Sequence, residues 1–317
     1  MMTTAGAQLR RRLPPVRGRY AEDSSLARFT WFRVGGPADV VFRPADEDDL
    51  VEFLKRRPQD VPVTVIGLGA NLLVRDGGIE GVVVRLERPF AAIEIKGEDV
   101  IAGGGAVGAK LARVCAEAGV GGLEFLSGIP GTLGGAVFMN AGAYGREIAD
   151  LAVSVRIVGG SGKVRTVDAA DMGFSYRHTG LEAGSIILSA HLRGERDARA
   201  VIRARLDEIA TTREASQPVR MRTGGSTFVN PPGSEKAWQL IERAGCRGLQ
   251  HGSAMVSEKH CNFLINTGDA TAADLENLGE EVIRRVSAAT GVQLEWEVRR
   301  IGRLVNGGHE TRKGSVA

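Results

Sequence analysis

The chain has few cysteines and no long apolar run, and both absences exclude classes of protein. Cys115, Cys246 and Cys261 are its three cysteines in 317 residues, too few and too scattered for a disulfide framework or a zinc site. A reducing, cytoplasmic location fits this usage, and we expect no bound metal. No window reaches the ~20 apolar residues that span a bilayer. The basic run Arg10–Arg12 is not followed by an apolar segment, so we expect no secretory signal.

A large surplus of one charge is also lacking. Lys and Arg together number 41 and Asp and Glu 38, a formal net charge of +3. Binding to nucleic acid needs a clustered cationic surface, so a balance this even argues against it as the main function. We expect small-molecule partners, no nucleic acid and no membrane, and a monomer is favoured.

Glycine is the residue present in excess. The chain has 43 glycines in 317 residues, about twice the usual ~7%. They follow no repeat period, which excludes a collagen-like chain. Glycine tolerates turns and lets backbone approach a ligand closely. The excess therefore predicts many tight turns, a ligand packed on backbone, or both.

The length predicts two or three domains, and the order of helices and strands predicts an α+β fold with mixed sheets. We expect a basic, mobile N-terminal lead-in and a polar C-terminal tail around three globular stretches, the last beginning with a connector helix. These segments are 1–20, 21–86, 87–197, 198–305 and 306–317.

Capping residues and apolar periodicity predict the main elements. The predicted helices cover Glu47–Arg57 with Asp46 as cap, Ala109–Ala118 ending at Gly119, about 198–215, one from a Ser234 cap to Gly245, and one from a Thr271/Asp274 capping box to Gly291. The predicted strands are 40–42, 63–66, 82–84, Phe263–Asn266 and Leu294–Ile301.

Three glycine-rich loops are candidate ligand sites. The first, Gly67–Val74, follows a strand and could present backbone N–H groups to a pyrophosphate or be a plain turn. It is neither a Rossmann fingerprint nor a P-loop. The second, Gly103–Gly108, precedes a helix and is either a flexible hairpin or a nucleotide contact. The third, Gly121–Gly145, is so rich in glycine that a planar ligand against the backbone is favoured over a plain loop.

These loops, with the run Gly128–Ala136, resemble the FAD-binding domain of vanillyl-alcohol-oxidase (PCMH-type) flavoproteins. Four motifs downstream narrow the resemblance to one family, the UDP-N-acetylenolpyruvoylglucosamine reductases. They are Phe174–Arg177, Gly225–Phe228, Ser257–His260 and Leu294–Arg299. The resemblance covers about residues 26–303. It implies a two-part FAD-binding domain, with subdomains over 21–86 and 87–197, and a C-terminal α+β substrate-binding domain that follows the connector helix within 198–305. The short interval between Arg177 and Ser226 resembles the family form without an inserted tyrosine-bearing loop.

The resemblance implies an NADPH-dependent flavoenzyme of peptidoglycan precursor synthesis. It would reduce the enolpyruvyl ether of UDP-N-acetylglucosamine-enolpyruvate to UDP-N-acetylmuramate, with hydride passing through FAD. The first loop has no histidine for covalent attachment, so FAD would be held non-covalently. The residues implied to contact FAD are Gly67, Gly69, Ala70, Asn71, Leu72, Gly128, Ile129, Pro130, Gly131, Thr132, Asn140, Ala141, Gly142 and Gly145.

The resemblance also implies three catalytic residues. Arg177 would stabilise the negative charge that spreads into the substrate carboxylate, since a guanidinium grips a carboxylate with two parallel bonds. Ser226 would protonate the α-carbon, and Glu297 would steady the intermediate. From local sequence alone, Arg177 could be a surface arginine, Ser226 a turn serine, and Glu297 one of a solvent-facing pair with Glu295.

Further substrate contacts are expected from Tyr176, Asn230, Lys259 and His260, although His260 could equally be a structural histidine. Two positions depart from the family pattern. Val229 replaces a lysine, and Trp296 replaces a proline between the two glutamates. The competing interpretations are a flavin oxidase of the same fold acting on a small alcohol, and a nucleotide-sensing protein without turnover.

Overall fold

The computed structural model describes residues 4–233 and 235–305, which form two compact units. The described part of the first comprises residues 4–23, 39–70 and 81–221, and that of the second comprises 24–38, 71–80 and 222–305. The units therefore do not follow the consecutive segments expected from the sequence. The first unit contains the expected segment 87–197, part of the expected segment 21–86 and the connector helix, whereas 24–38 and 71–80 belong to the second.

The helices begin and end largely at the predicted capping residues. The Asp46 side chain accepts from the Asp49 N–H, the reciprocal Thr271/Asp274 capping box is formed, and Gly119 and Gly291 end their helices in left-handed conformation. The predicted cap Ser234 lies outside the described residues. The helices are α1 Ala5–Arg12, α2 Glu47–Arg56, α3 Gly108–Ala118, α4 Leu133–Phe138, α5 Arg199–Ser216, α6 Ala237–Arg243 and α7 Ala272–Thr290.

The mixed helix and strand content confirms the α+β class. The strands are β1 Arg19–Ser25, β2 Pro37–Arg43, β3 Val63–Val65, β4 Leu72–Val74, β5 Ile79–Val84, β6 Ile93–Lys96, β7 Asp99–Gly103, β8 Val120–Gly121, β9 Gly142–Ala143, β10 Arg146–Glu147, β11 Ala152–Val158, β12 Val164–Asp168, β13 Ile186–Arg193, β14 Glu195–Arg196, β15 Gln250–His251, β16 Ala254–Val256, β17 Leu264–Asn266 and β18 Arg299–Ile301.

The first unit has two main sheets. One is antiparallel, in the order β12-β11-β13-β7-β6, and buries its apolar side chains with those of α3 and α4; Leu111, Leu133 and Leu192 are fully buried there. The other has the order β1-β2-β5-β3 and packs with α2 through the rings of Phe42 and Phe53, whose centroids are 4.6 Å apart. Strand β3 leads into the first glycine loop, and β7 ends in the second.

The expectation of a mobile lead-in over residues 1–20 is wrong for the residues described there. Thr4 caps α1, and Leu13 is buried in the core that contains Phe42. The Tyr20 ring lies 5.2 Å from that of Phe42, and its hydroxyl donates to the Pro14 carbonyl. The segment resembles a tail in sequence because it is basic, whereas in the structure it is held by a few apolar contacts with residues distant in sequence.

The second unit packs α6 and α7 with the antiparallel sheet β15-β16-β17. Its core includes Phe32, Phe228 and Leu278, all nearly or fully buried. Strand β18 pairs in parallel with β4, so Leu72 faces Arg299 across this small sheet. None of the described helices is both long enough and apolar enough to cross a membrane.

An ion-pair network connects α7 to the β4–β18 pair. Glu276 on α7 accepts from Arg75 Nε at 3.0 Å and Arg75 Nη2 at 2.8 Å, and its Oε1 lies 3.1 Å from Arg300 Nη1. The Glu276 side chain is 14% exposed, so water screens it little. The hydrogen bond from Arg75 is the main cause that lowers the pKa of Glu276.

We expect Glu276→Gln to lower the free energy of unfolding at pH 7 by about 1–3 kcal/mol. A carboxyl whose folded pKa is depressed stabilises the fold above its unfolded pKa of about 4.3, and that stabilisation is lost as the pH falls through the folded pKa. The difference between wild type and variant should therefore shrink below about pH 4.3. Urea unfolding of both proteins at several pH values measures this difference in free energy. Glu52→Gln, in an exposed pair with Lys55, is the control and should change stability by less than about 0.5 kcal/mol. A difference that does not depend on pH would contradict this account.

Candidate active site

The glycines of the second and third loops fall into two groups. A Cβ at Gly103 or Gly104 would overlap the carbonyl oxygen of Phe90 or Ile187, and one at Gly134 would lie 2.9 Å from the Gly104 carbonyl oxygen. The Gly134 N–H donates to that same oxygen. These glycines are explained by packing of backbone on backbone. The second loop is therefore held by the protein itself, and its glycines need no ligand.

Gly131 belongs to the other group. A Cβ there would meet no protein atom within 4 Å, and the residue does not have a positive φ. Neither packing nor backbone conformation requires glycine at this position. Its carbonyl accepts from the Gly108 N–H at 3.0 Å, which fixes the segment. A fixed backbone edge facing open space is the kind of surface on which a planar ligand packs.

The first loop lies against this segment. A Cβ at Gly67 would come within 2.5 Å of Thr132 Oγ1, so glycine allows the two loops to meet. Gly69 has φ +63°, a left-handed conformation that favours glycine. Thr132 itself is buried, and its hydroxyl accepts from the Gly135 N–H at the start of α4. The loop from Gly67 to Ala70 and the loop from Gly128 to Thr132 therefore form one continuous backbone surface in the first unit.

Arg177 occupies the third position of a tight turn in the same unit. Ser175 and His178 exchange backbone hydrogen bonds of 3.1 Å, and Arg177 has φ +57°. This position usually favours glycine or asparagine, and a side chain here costs about 1–2 kcal/mol. Its Nη2 donates to the Gly142 carbonyl at 2.9 Å, and its guanidinium lies 5.0 Å from the exposed Tyr176 ring. An arginine held under strain beside a candidate ligand loop is a typical feature of a functional site.

Asn140 was expected to contact FAD, but its side chain has a different role. It is fully buried, its Nδ2 donates to the Ser175 carbonyl at 3.0 Å, and its Oδ1 accepts from the Ala149 N–H at 3.0 Å. It has φ +39°. The side chain therefore lies in the protein interior, joining the turn that carries Arg177 to the third glycine loop. No local sequence pattern indicates this role, because both partners are backbone groups.

Tyr144 was not singled out from the sequence. It has φ +55°, its ring is 44% exposed, and it covers Gly128, where a Cβ would overlap the ring. A large aromatic side chain next to Gly145, in a loop implied to contact FAD, was the available signal.

Ser226 lies in the second unit, in an extended segment between the segment that contains Asn262 and the segment that contains Glu297. Thr227 N–H donates to the Asn262 carbonyl at 2.7 Å on one side, and the Thr227 carbonyl accepts from the Glu297 N–H at 2.8 Å on the other. Gly225, just before Ser226, has φ +80° and would meet no atom with a Cβ. Ser226 is half-buried. Ser226 and Glu297 are thus carried by neighbouring segments, as their assigned roles require.

The predicted strand Leu294–Ile301 is shorter than expected. Only Arg299–Ile301 pairs as a strand, because the N–H groups of Glu297 and Val298 both point to the Thr227 carbonyl. Glu295 is exposed, whereas Glu297 is half-buried. The Asn71 side chain donates to the Glu297 carbonyl at 3.2 Å. The Asn71 amide therefore holds the backbone that carries Glu297, and its expected contact with FAD stays a prediction.

The four residues expected to contact the substrate lie in different environments. Tyr176 and Lys259 are exposed, and the Asn230 Oδ1 accepts from the Ala237 N–H and so caps α6. His260 Nδ1 accepts from the Asn262 N–H, its ring lies 4.8 Å from that of Phe263, and burial lowers its pKa. His260 Nδ1 therefore has a backbone partner, as the structural alternative left open by the sequence requires, and a contact of His260 with substrate stays a prediction.

Asn262 is a residue that sequence reasoning missed. It is nearly fully buried, its Oδ1 accepts from the Phe228 N–H at 2.9 Å, and its Nδ2 donates to the Phe228 carbonyl at 2.8 Å. This pair of bonds fixes the segment that carries Ser226. An asparagine between Cys261 and Phe263 in an otherwise apolar stretch was the signal.

Two known protein families match segments of this chain. Residues 38–168 match the family described as FAD binding domain, and residues 217–301 match the UDP-N-acetylenolpyruvoylglucosamine reductase C-terminal domain. Together with the open backbone surface at Gly131, these matches define an FAD-dependent oxidoreductase.

Relatives that match over most of the chain show which family of FAD-dependent oxidoreductases it belongs to. The UDP-N-acetylenolpyruvoylglucosamine reductase of Paramagnetospirillum magneticum is 57% identical over 92% of this chain and 94% of its own. That of Acidiphilium cryptum is 58% identical over 93% and 96%. The crystal structure of the enzyme from Thermus caldophilus superposes with a TM-score of 0.77 at 34% identity, covering 90% of this chain and 99% of its own. The chain belongs to the UDP-N-acetylenolpyruvoylglucosamine reductase family, which confirms the resemblance found in its motifs.

The open space at Gly131 makes a direct test of the cofactor surface possible. We expect Gly131→Val to fold normally and to bind FAD at least about tenfold more weakly, because its side chain would occupy ligand space and not protein space. FAD content after purification and titration of the apoprotein measure this. Gly268→Val is the control, since Gly268 also meets no atom with a Cβ and lies in the second unit. Full flavin content in Gly131→Val would contradict the assignment of this surface.

Proposed function

We propose that this protein reduces the enolpyruvyl ether of UDP-N-acetylglucosamine-enolpyruvate to the lactyl ether of UDP-N-acetylmuramate, with NADPH as reductant. Family membership supports the reaction class. The observation that carries the proposal is the strained, anchored Arg177, because the reaction builds negative charge on a carboxylate and needs a preorganised cation. Bound FAD would accept hydride from NADPH and supply it to the substrate.

Arg177 is assigned to the substrate carboxylate. Hydride addition at the β-carbon of the double bond turns the terminal CH₂ into CH₃ and leaves an electron pair at the α-carbon, delocalised into the carboxylate. A guanidinium offers two parallel N–H donors to both oxygens and keeps its charge at any working pH. Its fixed turn means that little reorganisation is needed as the charge develops.

Ser226 is assigned to proton donation. The α-carbon must gain a proton to complete the C–H bond and to consume the electron pair left by hydride addition. A hydroxyl is a weak acid, so it can donate only to a strongly basic carbon such as this enolate. The flanking hydrogen bonds of Thr227 and Phe228 hold the Ser226 backbone in place.

Glu297 is assigned to stabilising the intermediate. Its backbone is held by the Thr227 carbonyl and by the Asn71 amide, and it is the less exposed of the two glutamates in its motif. A carboxylic acid in its protonated form could donate a hydrogen bond to the enolate oxygen. Expected contacts of Tyr176 and Lys259 with the substrate fit their exposure. The contacts expected of Asn230 and His260 would use Nδ2 and Nε2, because Asn230 Oδ1 and His260 Nδ1 accept from backbone N–H groups.

The test is isotopic. With NADPH in D₂O, the product should be UDP-N-acetylmuramate with deuterium at the α-carbon of its lactyl group, because that hydrogen comes from solvent-exchanged Ser226. Proton NMR of the purified product shows the loss of the α-hydrogen signal. Failure to form a lactyl product would overturn the proposal, and a product with hydrogen at the α-carbon would overturn the role of Ser226.

A further inference from the structure

We infer that Asn140 is a positioning residue for Arg177, a role that goes beyond the proposed chemistry and rests on it. Asn140 does not reach the substrate in this assignment, since its side chain is fully buried. It acts by fixing the turn Ser175–His178, from which Arg177 projects.

The hydrogen bonds of Asn140 allow only one orientation of its amide. The Ser175 carbonyl accepts and can face only Nδ2, whereas the Ala149 N–H donates and can face only Oδ1. No other common side chain offers one donor and one acceptor at this length, so substitution must break at least one of the two bonds. The bond to Ser175 is the one that reaches the arginine turn.

The turn needs such a support because Arg177 has an unfavourable backbone. A residue with φ +57° persists only where its surroundings over-determine it. The Ser175–His178 hydrogen bonds close the turn but do not tie it to the rest of the unit. Asn140 provides that tie at one end, and the Arg177 guanidinium on the Gly142 carbonyl provides it at the other.

Both ties lead to the same loop. Asn140 and Gly142 are two residues apart, so the loop implied to contact FAD and the arginine implied to contact the carboxylate form one rigid piece. Loss of the Asn140 amide would remove the hydrogen bond at Ser175 and leave the bond from the Arg177 side chain to the Gly142 carbonyl. That same side chain must be available to the substrate, so the positioning would be lost when it is needed.

Asn140→Asp keeps one of the two hydrogen bonds and removes the other. Its carboxylate can still accept from the Ala149 N–H, and aspartate tolerates a positive φ, but the donor to the Ser175 carbonyl is lost. The matched control is Thr179→Val. Thr179 is buried and donates to the Phe138 carbonyl at 3.2 Å, so it joins the same two chain segments just beyond the turn.

The experiment is calorimetric binding of two ligands to the purified FAD-loaded enzyme. UDP-N-acetylmuramate carries the carboxylate that Arg177 is assigned to grip, and UDP-N-acetylglucosamine lacks it. We expect Asn140→Asp to weaken the first at least about tenfold and the second by less than about twofold. Thr179→Val should leave both within about twofold. Arg177→Lys combined with Asn140→Asp should bind UDP-N-acetylmuramate no more weakly than Arg177→Lys alone.

The outcomes separate the inference from the proposed function. If wild type does not prefer the carboxylate-bearing ligand, the proposed function fails first. If wild type prefers it and Asn140→Asp does so equally, or if both ligands weaken together, the positioning role is wrong. The positioning role would also be wrong if the double variant lost affinity for UDP-N-acetylmuramate by the product of the two single-variant losses. Should Asn140→Asp not fold, Asn140→Gly replaces it, since glycine accepts the φ of +39° without strain.

Discussion

Ser226→Ala is expected to reduce turnover with the enolpyruvyl sugar by about 10²–10⁴-fold, the usual size of a general acid's contribution. Reduction of the bound flavin by NADPH should stay within about twofold of wild type. The reason is that Ser226 is assigned only to protonation of the α-carbon, which follows hydride transfer to the substrate. Stopped-flow absorbance separates the two half-reactions, because flavin loses its visible absorbance on reduction and regains it on reoxidation.

A neighbouring hydroxyl gives the control for this variant. The Thr223 side chain is buried, and its Oγ1 has no hydrogen-bond partner among the described residues. Thr223→Val removes that hydroxyl with little change of shape and should leave turnover unchanged. A Ser226→Ala enzyme that turns over at more than about a tenth of the wild-type rate would exclude Ser226 as the required proton donor.

Arg177→Lys is expected to lower kcat/KM for the enolpyruvyl sugar by about 10²–10³-fold, comparable to the removal of one preorganised donor at a developing anion. Lysine keeps the positive charge but loses the planar fork that meets both carboxylate oxygens. It also removes the anchor on the Gly142 carbonyl, so the ammonium is less well placed. Steady-state kinetics measure the change, and the thermal stability of the variant shows whether its fold is retained.

Arg165→Lys is the matched substitution for this prediction. Arg165 lies on β12 with a 3.7 Å contact to the exposed Glu182, so an ammonium replaces its guanidinium at little cost. Its kcat/KM should equal that of wild type. If Arg177→Lys is as active as Arg165→Lys, charge alone suffices at position 177 and the assigned carboxylate grip is wrong.

Local signals in the sequence predicted most helix ends. Asp46, Thr271 with Asp274, and Gly119 act within their own helix termini, so nearby residues contain the whole signal. The N-terminal lead-in was misjudged because α1 is stabilised through Leu13, which packs in a core formed by residues far along the chain. The strand before Arg299 was predicted too long because its hydrogen bonds depend on the Thr227 carbonyl, about seventy positions away.

The candidate site shows the same contrast between local signals, which can be read from the sequence, and contacts between distant residues, which cannot. The motifs around Arg177, Ser226 and Glu297 were visible as residues, but the role of a glycine depends on what faces it. Gly104 and Gly131 look alike in sequence, yet one faces the Ile187 carbonyl and the other faces open space. The resemblance implied FAD contacts for Asn140 and Asn71, and the structure adds hydrogen bonds of their side chains within the protein. Their partners are backbone groups of distant segments, which no local pattern encodes.

Anaerobic oxidation of NADPH by the purified flavoprotein, compared with and without UDP-N-acetylglucosamine-enolpyruvate, tests the account most directly. Without the sugar, NADPH should be consumed once per bound flavin and then no further. With it, consumption should continue until the sugar is exhausted, one NADPH for each molecule of UDP-N-acetylmuramate formed. Flavin that is reduced once and is not reoxidised by the sugar would contradict the proposed reductase function.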